Sequence, residues 1–63
     1  IPTFEHVTIC AHPLKSGVYM VLSKTIQGVP PYFGTLKQCI KAATAANRYT
    51  CKLLGFKPVG PSW

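Results

Sequence analysis

Glu5, His6, His12 and Arg48 are the side chains through which this sequence could do acid–base chemistry. Phosphoryl transfer of the ribonuclease kind needs a general base, a general acid and a cation at the developing charge, and these residue types supply all three. Two histidines are an ordinary complement for a short chain, so a ribonuclease-like module stands as an alternative and the primary expectation is a protein without catalytic residues. Carboxylate-pair mechanisms are excluded by count: glycosidases and aspartic proteases use two acids, and Glu5 is the only acidic side chain. Cys10 and His12 would face the same way at i and i+2 of a strand, yet nothing nearby would orient the imidazole. Cys10, Cys39 and Cys51 with the histidines make an inventory of soft ligands. No two of the cysteines stand at the C-x₂₋₄-C spacing of zinc sites, so neither metal nor cofactor is expected.

The charge pattern speaks more clearly. Seven Lys and Arg face one acid, a formal net charge of +6 in 63 residues. Such a surface attracts phosphates, anionic lipids or acidic proteins and gains little from internal ion pairs. Six of the seven cations are lysines, which favours point-charge attraction over the bidentate reading of bases, so any nucleic-acid binding would be non-specific.

These side chains need elements to hold them. Thr3 to Cys10 and Gly17 to Ile26 are rich in β-branched and aromatic residues; in the second, Val18, Met20, Leu22 and Ile26 share one parity. The intervening Pro13 and Gly17 suit a loose hairpin loop, so the two strands are expected to pair antiparallel. Gln27 to Gly34, with Pro30 and Pro31, reads as a crossover loop presenting Tyr32 and Phe33. Thr35-Leu36-Lys37-Gln38 fits a capping box, which starts a helix at Thr35. At 100° per residue Leu36, Cys39, Ile40, Ala43 and Ala46 share one arc, and Lys37, Lys41 and Arg48 lie opposite, with Lys52 just beyond. The alternation of Tyr49, Cys51 and Leu53 with Thr50 and Lys52 ends the helix near Asn47 and predicts a third strand over Tyr49 to Leu54. Gly55 to Trp63 reads as an irregular tail. The expected fold is α+β: one small domain over residues 1–63, order β-β-α-β, an antiparallel sheet with one amphipathic helix on one face.

A domain this small sits near the limit at which a core can outweigh chain entropy, so a staple is expected. A continuous helix through Cys39 and Cys51 would set them about 18 Å apart, beyond the roughly 7 Å reach of a disulfide. With a third strand at Tyr49 to Leu54, Cys10–Cys51 becomes the predicted bridge, closing a loop of about 40 residues and stabilising by about 3–4 kcal/mol, with Cys39 a buried thiol. Three buried thiols in a reducing compartment are the alternative. Ile1 in place of a start methionine points to a mature product or a fragment, and the cysteines favour removal of a secretory signal. No apolar run reaches the roughly 18 residues of a membrane span.

The sequence therefore leads to a secreted, cationic, non-enzymatic binding protein of the toxin, effector or host-defence (antimicrobial) type. Its expected binding residues are Lys37, Lys41, Arg48 and Lys52 on the helix with Tyr32, Phe33 and Trp63 as aromatic anchors, directed at a protein partner or an anionic surface such as a membrane or polyanion. A nucleic-acid-binding module and a small subunit or fragment of a larger complex are the other readings.

Overall fold

β-branched Val7, Thr8, Ile9 and Val21, with Tyr19, favour extended backbone in the first two strands. In the computed structural model, which describes residues 1–58 and 60, β1 is Val7–Ala11 and β2 is Tyr19–Ser23, paired antiparallel with Ile9 opposite Val21 and Cys10 opposite Met20. The His12 N–H donates to the Val18 carbonyl at 2.8 Å to close the loop, and Gly17 takes a φ of 79°. That left-handed conformation is one a glycine adopts without penalty. β3, Tyr32–Gly34, adds antiparallel to β2, with Tyr32 opposite Val21 and Phe33 opposite Met20. The sheet order is β1-β2-β3. Pro30 and Pro31 stand directly before β3 and lack N–H donors, which suits a short edge strand. The segment read from sequence only as a loop thus supplies the third strand.

The helix starts where the sequence says and ends later. α1 is Leu36–Leu54. Gln38 N–H donates to Thr35 Oγ1 at 3.2 Å, and Thr35 N–H donates to Gln38 Oε1 at 3.0 Å, the reciprocal pair of a capping box. The expected stop near Asn47 and the expected strand over Tyr49 to Leu54 are both overturned, and the element order is β-β-β-α. Asn47 lies inside α1 with 1% of its surface exposed, and its Oδ1 accepts the His6 backbone N–H at 3.0 Å. A residue that often ends helices is here a tertiary hydrogen-bonding post. The real stop is Gly55, at φ 82°. Its N–H donates to the Lys52 carbonyl at 3.2 Å and the Phe56 N–H donates to the Cys51 carbonyl at 2.9 Å, the two bonds of a Schellman motif.

Side-chain parity decides which sheet face α1 covers. Val7, Ile9 and Val21 are buried against Cys39 and Ala43 of α1, both fully buried and small enough to let the helix approach closely. Phe4 completes this core from an N-terminal arm that runs irregularly before β1. The first strand therefore begins at Val7, four residues after the expected Thr3. The arm is tied down by Lys24, whose Nζ donates to the Phe4 carbonyl at 2.9 Å and whose N–H donates to the His6 carbonyl at 2.9 Å.

The predicted Cys10–Cys51 bridge is absent: Cys10, Cys39 and Cys51 are all free thiols. Strand alternation puts Cys10, half-buried, on the sheet face away from α1, whereas Cys51 is buried on the core side of the helix. The bridge depended on a strand at Tyr49 to Leu54, and that segment is helix.

Candidate functional site: the outer surface of the helix

Because α1 runs to Leu54, its four cations form one stripe. Lys37, Lys41, Arg48 and Lys52 fall within about 60° of helical arc, and all four are exposed. The buried residues Cys39, Ala43, Asn47, Thr50 and Cys51 occupy the arc that faces the sheet. No acid lies on α1, and the chain's single acid, Glu5, is instead 3.9 Å from His6 Nε2. Lys37 and Lys41, like Arg48 and Lys52, are like charges at i and i+4, a spacing that costs tenths of a kcal/mol per pair. Lys37 also stands in the first turn, where the positive end of the helix dipole disfavours it. Local stability alone would not select this stripe.

The aromatic anchors divide. Tyr32 and Phe33 are neighbours on a strand and point to opposite faces, Tyr32 toward the side covered by α1 and Phe33 away from it. Phe33 instead packs tilted against His12, with ring centroids 5.8 Å apart and planes at 54°. Trp63 lies outside the described residues. Tyr32 and Phe33 therefore do not form a single surface, and of these two Tyr32 stands on the helix side.

A second stripe, not anticipated from the sequence, runs along α1 beside the cations, half-buried at its two alanines and exposed at Tyr49 and Leu53. Ala42, Ala46, Tyr49 and Leu53 recur at i, i+4, i+7 and i+11, and Tyr49 and Leu53 are 62% and 60% exposed. Facing them across an apolar groove of about 540 Å³ are Ile26, Val29, Pro30 and Tyr32 of the β2–β3 connection and β3, with Val7 and Val21 at its base. Tyr49 also borders a shallow depression of about 340 Å³ with Arg48 and Lys52, so the apolar and basic stripes meet there. The spacing of the four residues is a usable sequence signal, which a strand over Tyr49 to Leu54 breaks in two.

The candidate acid–base set does not assemble. His6 is buried, with Nδ1 2.7 Å from Thr25 Oγ1 and its backbone N–H held by Asn47. His12 accepts the Leu14 N–H on Nδ1 at 3.1 Å. The two histidines bracket β1, and six residues of extended chain separate them by about 20 Å, too far to act on one phosphoryl group or to share one metal ion. Among the described residues no three His, Cys, Asp or Glu side chains converge on a point where a metal ion would be held. Burial pushes the Cys39 thiol above its ordinary pKa, the opposite of what an activated nucleophile requires. Among the described residues no helix is long and apolar enough to cross a membrane. No known protein family, curated protein or solved structure matches this chain.

Proposed function

We propose that this is a small cationic, non-enzymatic binding protein, secreted and of the toxin, effector or host-defence type, which docks an acidic protein partner or an anionic surface through Lys37, Lys41, Arg48 and Lys52. The observation that carries the reading is the stripe itself: four exposed cations on one helical arc with no acid among them, kept despite repulsion at i, i+4 and an adverse position at the helix start. Ordinary solvated faces interleave both signs. Tyr49, exposed beside Arg48 and Lys52, supports a second reading in which single-stranded nucleic acid stacks a base on the ring while phosphates meet the cations.

The test is the triple variant Lys37→Gln, Lys41→Gln, Arg48→Gln. Folding should be nearly unchanged, because exposed helix positions accept Gln at a cost of tenths of a kcal/mol. Binding to vesicles of phosphatidylserine and phosphatidylcholine, and to poly-glutamate, should weaken and lose most of its salt dependence. Affinity for single-stranded RNA that exceeds both, with a salt slope reduced by up to about three in the variant, would favour the second reading. Unaltered binding by a folded variant would remove the stripe from the interface. Secretion is tested separately, by whether the native protein accumulates in the medium of its producing cells.

A further inference from the structure

The groove beside α1 has the attributes of a seat for another helix. Ala42, Ala46, Tyr49 and Leu53 follow the alternating four- and three-residue spacing of the d, a, d and a positions in a coiled-coil seam. From Ala42 to Leu53 the seam runs about 16 Å along the axis, three turns. The two alanines let a neighbouring backbone come close, and the half-exposed Tyr49 and Leu53 stand as anchors at the far end. None of the described residues around the groove is charged, whereas Arg48 and Lys52 line its margin beyond Tyr49.

Three occupants fit an apolar trough, and the surroundings separate them. A second copy of this chain would bring its own Arg48 and Lys52 along the seam and add another +6 of net charge, so like charges would oppose pairing. A single acyl chain calls for a site that encloses most of the ligand, of the order of 70–90% of its surface. Here Val29, Tyr32, Tyr49 and Leu53 remain 44–62% exposed around the rim, more than one chain of methylenes would cover. An amphipathic helix with an acidic flank satisfies both halves: its apolar ridge fills the groove, and its carboxylates meet Arg48 and Lys52 at the margin. We propose that the groove between α1 and the β2–β3 connection binds an acidic amphipathic helix of a partner protein, with Tyr49 and Leu53 as anchors. This rests on the reading of the basic stripe as anion-facing, and it adds the apolar groove as the source of selectivity.

The probe is a synthetic peptide of about 18 residues, five turns, with Leu at the a and d positions and Glu on its flanks, compared with a sequence-scrambled peptide and with poly-glutamate of equal length. The full chain should bind the amphipathic peptide more tightly than either control, with a gain of peptide helicity in circular dichroism. The double variant Tyr49→Ser, Leu53→Ser removes side chains that are mostly exposed, and it should lower peptide affinity at least about tenfold, the effect of losing interface anchors, while leaving poly-glutamate binding unchanged. Ala46→Gln, which narrows the groove with an uncharged side chain, should act in the same direction. Failure of the wild-type chain to bind poly-glutamate at low salt would strike the basic-stripe reading itself. Poly-glutamate binding with no preference for the amphipathic peptide, or no loss in the two groove variants, would leave that reading standing and overturn this proposal. Saturable binding of dodecanoate that displaces the peptide and is lost in the double variant would overturn it in favour of an acyl ligand, and a wild-type dimer in sedimentation that Leu53→Ser dissociates would overturn it in favour of self-association.

Discussion

Two flanks of α1, one basic and exposed and one apolar and half-buried at its alanines, carry four side chains each and offer opposite physics. Lys37, Lys41, Arg48 and Lys52 act through a field that reaches about a Debye length, near 8–10 Å at physiological salt, and distinguish little beyond the sign of a partner's charge. Ala42, Ala46, Tyr49 and Leu53 act only at contact, and only on a surface shaped to fit beside Val29 and Tyr32. On the proposed reading, charge would bring a partner in and shape would select it. The arc that faces the sheet, with Cys39, Ala43, Asn47, Thr50 and Cys51 buried, is committed to the fold. Each face should therefore respond to a different kind of change, the inward one in stability and the outward two in binding.

The largest effect is expected at Asn47. Replacing it with alanine removes the acceptor for the buried His6 N–H, and a buried donor left unpaired costs about 1–3 kcal/mol. For a domain of this size that corresponds to a fall in Tm of about 10 °C. The N-terminal arm should loosen first, so amide exchange near His6 should accelerate more than exchange in β2. A variant as stable as the wild type would mean that the arm is held by Phe4 and Lys24 alone. Arg48→Gln, next to Asn47 but pointing outward, should by contrast leave Tm within about 2 °C.

Gly55 comes next. Its φ of 82° is disfavoured for an L side chain, while a Cβ there would meet nothing within 4 Å, so Gly55→Ala exposes the conformational cost alone, about 1–2 kcal/mol. Thermal unfolding measures it. This glycine also shows why the fold was only partly legible. The Thr35–Gln38 capping box could be read because both partners lie within four residues. The helix end could not, because Asn47 and the alternation of Tyr49, Cys51 and Leu53 gave a local argument for stopping early. The reason to continue is tertiary: Asn47, Thr50 and Cys51 are buried against the rest of the fold. A helix end at Asn47 carries with it the third strand over Tyr49 to Leu54 and the Cys10–Cys51 bridge, and it divides the apolar stripe. The basic stripe keeps its period on either side of the break, whereas Tyr32 and Phe33 are set on opposite faces by a three-residue strand that follows two prolines and ends in a glycine, too short a pattern to announce itself.

A smaller effect, confined to alkaline pH, is expected at Cys39. Burial raises its thiol pKa in the folded state, while the unfolded chain keeps the ordinary value of about 8.5. Below that pH both states hold the proton and stability does not depend on it. As pH rises through about 8.5 the unfolded state loses the proton first, so stability falls with pH toward the raised folded value. Denaturant unfolding at pH 7.5 and 9.5 should show this decline, and Cys39→Ala should reduce it. Alkylation of the native protein should modify the half-buried Cys10 ahead of Cys39 and Cys51; modification of all three at one rate would indicate opening of the core.

The smallest effect sharpens the contrast between flanks most, because stability and binding should move in opposite directions. Lys37 occupies the second position of α1, where no acid offsets the helix dipole, and stands one turn before Lys41. Lys37→Glu would put a negative charge at the dipole's positive end and turn a repulsive i, i+4 pair into an attractive one, a gain of about 0.5 kcal/mol at low salt. The capping box of Thr35 and Gln38 uses neither charge and should be undisturbed. The variant should melt slightly higher, with the gain fading as salt is added. It should also bind anionic vesicles and poly-glutamate more weakly, since its net charge falls by two. For the amphipathic peptide the loss should be smaller, because Lys37 lies at the opposite end of α1 from Tyr49 and Leu53 and borders no part of the groove. Equal losses for poly-glutamate and the peptide would mean that charge alone governs both and that the two flanks are one surface.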